Sequence, residues 1–121
     1  MKYASIRTFP SGWAPGVTYQ IERMSFGRRQ ELTKQVRGLL ARQEFHAVGD
    51  SPLDKVEAAL LSMEIDRIYW NWGLVSLEGL FIGDEIATKE NVFERGPEPL
   101  VCEILLHIKS ECGLSEEERK N

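Results

Sequence analysis

The chain has 121 residues, 42% of them hydrophobic and 28% charged, close to the averages of globular domains. That length points to a single domain more than to a multi-domain enzyme, and that composition argues against wholesale disorder. Fifteen basic against nineteen acidic residues leave a net charge of −4, which disfavours a general nucleic-acid binder. The longest uncharged apolar run, Ile68 to Leu77, is interrupted by Asn71 and is too short to span a bilayer. The opening MKYASIRTFPSGW has no apolar core, so no secretory signal is expected there. Cys102 and Cys112 read as two reduced thiols of an intracellular protein.

Charge is divided along the chain. Residues 1–46 carry eight bases and three acids, whereas residues 47–121 carry seven bases and sixteen acids. Residues 1–16, with the uncharged TFPSGWAPG, read as an irregular N-terminal arm. Val17, Tyr19 and Ile21 alternate with polar neighbours and predict a strand. Ser25 or Gly27 can start a helix whose apolar stripe is Leu32, Val36, Leu39, Leu40 and Ala47, with Gly49 at its stop. Ser51-Pro52-Leu53-Asp54 is a helix start: a capping serine, a first-turn proline and a reciprocal acid.

From there a helix is expected to run to about Leu77, with two apolar arcs. One holds Val56, Leu60, Met63, Trp70 and Leu74; the other holds Leu61, Ile65, Ile68 and Trp72. A helix greasy on two sides touches two neighbours, one of which can be another chain, so self-association is expected. Leu80-Phe81-Ile82 and Glu85-Ile86-Ala87 flank Gly83-Asp84 and predict a short β-hairpin. Thr88 can cap a brief helix, and Gly96-Pro97-Glu98-Pro99 opens a last one with Val101, Ile104, Leu105, Ile108 and Cys112 in its stripe. The expected fold is mostly α with a small β component, an α+β domain over 17–113, followed by a charged tail at 114–121 that can hold one frayed turn.

No set of residues converges for catalysis. His46 and His107 lack Cys or His neighbours at zinc-ligand spacing, so no metal or cofactor is expected. A Cys102–His107 pair is set aside because i and i+5 point to different sides of a helix; a helix-surface histidine and a core cysteine are expected instead. Glu57 and Glu64 share a helix face near tryptophans, a setting in which a general acid can arise, but Arg67 stands where it can neutralise Glu64. The residues expected to contact a partner are Trp13 in its Pro/Gly arm, Arg28, Arg29 and Arg37 on the basic helix, and Trp70 and Trp72. For Trp13, sealing the chain's own core is weighed ahead of anchoring a partner.

Residues 63–121 resemble a family of small proteins. The matching features are the helix end Ile68-Tyr69-Trp70-Asn71-Trp72-Gly73-Leu74, the hairpin Leu80-Phe81-Ile82-Gly83-Asp84-Glu85, the Ala87-Thr88 helix start, and Gly96-Pro97-Glu98-Pro99-Leu100 before the last helix. In these features the chain is similar to the tail assembly chaperones of tailed phages and prophages. The resemblance implies a small, acidic, helical, non-enzymatic protein in the cytoplasm of the host bacterial cell, binding tape-measure and tail-tube proteins during tail assembly. The alternative from the residues is a small regulatory module that binds nucleic acid through the basic helix 23–42.

Overall fold

The computed structural model describes residues 1–113, which form four helices and five strands. The α+β expectation holds: a three-stranded antiparallel sheet and a two-stranded hairpin accompany the helices. The chain divides into two compact units, one of Met1–Met24 with the residues from Gly73 onward, the other of Ser25–Trp72. The tail at 114–121 lies outside the described residues.

In the first unit, β1 (Ile6–Pro10), β2 (Thr18–Glu22) and β3 (Leu74–Glu78) form a sheet in the order β1-β2-β3. Phe9 pairs with Tyr19, Tyr19 with Leu77, and Ile21 with Leu74. Alternation puts Tyr19 and Ile21 on the buried side, and a register shift at Gln20/Ile21 brings both Leu77 and Leu74, three residues apart, to that same side. The other side is polar: Gln20 donates to Thr8 Oγ1 at 3.3 Å and accepts from Ser76 Oγ at 2.9 Å. Helix α4 (Glu98–Glu111) lies across the apolar side and buries Leu100, Ile104, Leu105 and Ile108. The hairpin of β4 (Phe81–Ile82) and β5 (Glu85–Ile86) stands where the Gly83-Asp84 turn predicted it. Thr88 caps α3 (Lys89–Arg95) in a reciprocal box with Asn91.

Two expectations are corrected here. Residues 1–16 are not wholly an irregular arm, because Ile6–Pro10 is a full strand paired with β2. A lone edge strand with an exposed outer face carries too little apolar alternation to be seen without its partner. The long helix also does not run to Leu77: it ends at Gly73, and Leu74–Glu78 becomes β3. A Cβ on Gly73 would stand 2.5 Å from Ile108 Cγ2, so the bare backbone there is what lets α4 close on the start of β3. Leu74 and Leu77 fit a helical stripe in sequence, and pairing with β2 decides otherwise.

The second unit is a helical hairpin of α1 (Phe26–Ala47) and α2 (Pro52–Gly73, of which Gly73 belongs to the first unit). Ser25 caps α1 by accepting the Arg28 N–H. Ser51 Oγ accepts the Asp54 N–H at 3.1 Å and donates to Asp54 Oδ2 at 2.8 Å, the cap that the Ser-Pro-Leu-Asp sequence predicted. Helix α1 ends one residue before Val48, so the stop falls slightly ahead of Gly49. At the hairpin's tip His46 Nδ1 meets Asp54 Oδ1 at 2.9 Å.

Gly79 has φ +87°, and a Cβ there would fall 2.2 Å from the Gly16 carbonyl oxygen. Gly79→Ala therefore incurs both left-handed strain and a backbone clash, and is expected to cost about 2–4 kcal/mol by urea unfolding. The tip has its own signature. Hydrogen bonds from His46 and then Ser51 hold the Asp54 carboxyl below its ordinary 3.8. A lowered folded pKa stabilises above the unfolded value and is lost as pH falls through the folded one. In urea titrations between about pH 2 and pH 6, Asp54→Asn is expected to flatten the acid limb of the stability curve.

Candidate interaction surface

The two arcs of α2 have different fates. Leu61 and Ile65 of the second arc are buried, and Ile68 and Trp72 are half-buried. The first arc splits. Trp70 is buried and Leu74 has left the helix for β3, but Val56, Leu60 and Met63 face solvent with exposures of 54%, 49% and 63%. Leu53, which belonged to neither expected arc, extends the row at 70%. Positions 53, 56, 60 and 63 follow steps of three, four and three, so they share one helix face. Glu57 and Glu64, each four residues after a leucine of the row, border that face on one edge.

Arg28 does not belong to an open basic patch. Its guanidinium lies 4.2 Å from the centre of the Trp72 ring, and Nη2 donates to the Trp72 carbonyl at 2.6 Å. A cation held on an indole face and hydrogen-bonded to the same residue's backbone closes the open end of the hairpin. Arg28 and Trp72, two residues expected to meet a partner, thus meet each other. Arg29 and Arg37 are exposed on α1, and Trp70 is buried. Of the six expected contact residues, Trp13 belongs to the first unit and the other five to the second. Only the spacing of apolar residues on α2 signalled the face that is open, and that spacing marks a stripe without saying which stripe is covered.

Trp13 is neither sealed in the core nor loose. Its side chain is 50% exposed, while its backbone is held by α4. Glu103 Oε1 accepts the N–H of Gly12 at 2.9 Å and of Trp13 at 3.0 Å, and Ser11 Oγ accepts from Trp13 and Ala14. One turn on, His107 Nδ1 is hydrogen-bonded to the Tyr19 hydroxyl and its ring stands 4.7 Å from Phe9. Burial first, then the charge of Glu103 and hydrogen bonding to it, push the Tyr19 pKa well above its ordinary value of 10. Tyr19 therefore stays neutral, a donor inside a packed aromatic group. His107 is accordingly not a bare surface histidine, and Cys102 is not a core cysteine. Cys102 is exposed and Cys112 is buried, because α4 turns its Leu100–Ile104–Ile108 face inward. The Glu103 contact is invisible in sequence, since about ninety residues separate it from the loop it holds.

Among the described residues, no three His, Cys, Asp or Glu side chains are grouped to hold a metal ion, and no helix is long and apolar enough to cross a membrane. No family model, curated protein or solved structure matches this chain.

Glu103→Ala removes the acceptor for the Gly12 and Trp13 amides. It is expected to lower stability by about 1–3 kcal/mol and to raise amide hydrogen exchange at residues 11–14 above that of β2.

Proposed function

We propose that this chain is a non-enzymatic protein-binding module that works by covering apolar surface on another protein, with the outward face of α2 as its working surface. One observation carries the reading: Leu53, Val56, Leu60 and Met63 stand exposed in a single row on a helix whose opposite face is already packed. Large aliphatic side chains exposed in a contiguous row, and not scattered singly, mark a contact surface. Covering them releases on the order of 1 kcal/mol for each, set against the cost of association.

The resemblance to phage tail assembly chaperones supplies the class of partner. In that reading the α2 face shields apolar segments of tape-measure or tail-tube protein in the bacterial cytoplasm until the tail assembles. The nucleic-acid alternative draws less support, because Arg28 is spent on Trp72.

The test is co-expression with tail-tube and tape-measure proteins, followed by affinity capture of this chain. At least one of them is expected to co-purify and to gain solubility. The double substitution Leu60→Glu and Met63→Glu, at two exposed positions, is expected to weaken capture by about 2 kcal/mol or more while leaving the far-UV circular dichroism unchanged. Retention of neither partner by the unaltered chain would remove the chaperone reading.

A further inference from the structure

The α2 row has an edge as well as a face, and the edge selects what can lie on it. Glu57 and Glu64 are seven residues apart and run along the same side of the Leu53–Met63 row. Glu64 is exposed and Glu57 half-buried at the rim. Glu57 has no base three or four residues from it; Arg67, three residues after Glu64, falls in line with the row at its far end, and Lys55 lies on the other side beside Asp66.

This one-sided charge bears on self-pairing. In an antiparallel two-fold pair of helices, like edges meet, so Glu57 and Glu64 would face Glu64 and Glu57 of the copy. Like charges set opposite each other oppose association. A parallel pair sets the acidic edge against the side holding Ala59, Lys55 and Asp66, where one base and one acid offset each other. Neither arrangement of a second copy gains from the edge.

Resting on the protein-binding reading above, we propose that the α2 face takes an amphipathic helix of a different protein. This helix carries aliphatic residues at i, i+3, i+4 and i+7 and Lys or Arg along the flank that meets Glu57 and Glu64. The apolar row provides the contact and the acidic edge sets orientation and choice of partner, since a basic flank is attracted and an acidic one repelled. The partner's charge, not its apolar content alone, decides whether it is held.

Three synthetic helices of about eighteen residues, five turns, test this against the full chain. One has leucine at the face positions and lysine on the flanks, the second has glutamate in place of lysine, and the third is a scrambled leucine–lysine peptide of the first's composition. Titration is followed by amide chemical shifts. The ordered leucine–lysine peptide is expected to bind, with shifts concentrated in residues 53–67. The leucine–glutamate peptide is expected to bind about tenfold more weakly, the scale set by exchanging two exposed ion pairs for two like-charge contacts. The gap should narrow as salt rises from about 0.05 to about 0.5 M. Glu57→Lys with Glu64→Lys should reverse the preference, and Leu60→Glu should weaken both ordered peptides.

Equal affinity for the lysine and glutamate helices would overturn the proposal, as would equal binding of the scrambled peptide or shifts centred elsewhere. A dimer in sedimentation equilibrium that Leu60→Glu dissolves, and that the leucine–lysine helix does not displace, would give the face to a second copy. The two readings fail separately. Peptide binding on α2 without capture of tail proteins removes only the tail assignment; capture through Leu60 and Met63 without charge preference removes only this one.

Discussion

The guanidinium of Arg28 lies on the Trp72 ring and donates to the Trp72 carbonyl, while twenty-two-residue helices run between that contact and the His46–Asp54 contact at the other end. These two polar contacts set the register of α1 against α2. Between those two contacts Leu32 and Val36 of α1 and Leu61 and Ile65 of α2 are buried, while Leu53, Val56, Leu60 and Met63 stay in solvent. A slip of one residue would rotate α2 by about 100° and put a different mixture of side chains in solvent. The open face is thus a consequence of where Arg28 and Asp54 find their partners.

The first unit is organised by a similar long-range contact. Glu103 holds the loop between β1 and β2 by its backbone amides, and His107, one turn on, holds the hydroxyl of the central-strand tyrosine. A carboxylate oxygen that accepts two main-chain amides is a strong acceptor, and it fixes a loop with one proline and two glycines that has little structure of its own. Trp13 is consequently displayed from a fixed backbone. A half-exposed indole on an ordered loop loses little conformational freedom when it is touched, which suits contact with another molecule.

The face on α2 is exposed at a price in solubility that a small acidic chain can bear, because net negative charge keeps copies apart. The same charge, gathered as Glu57 and Glu64 on one edge, works against pairing of identical helices and in favour of a basic one. Stickiness and selectivity then come from neighbouring residues of one helix: the aliphatic row supplies contact, and the glutamates restrict with whom.

Much of the local architecture is written in neighbouring residues. Ser25, Ser51 and Thr88 cap the helices that follow them, Gly83-Asp84 turns the hairpin, and Pro97 opens α4, because each of these depends on hydrogen bonds or dihedral angles within three or four residues. The two apolar arcs of α2 were legible for the same reason, as periodicity is local. Tertiary structure alone decided that residues 6–10 form a strand, that the helix yields to β3 at Gly73, which arc of α2 is covered, and that Glu103 holds the Trp13 loop. Each of those outcomes is a competition between partners distant in sequence, and a run of side chains states its preferences without stating which neighbour the folded chain will bring to it.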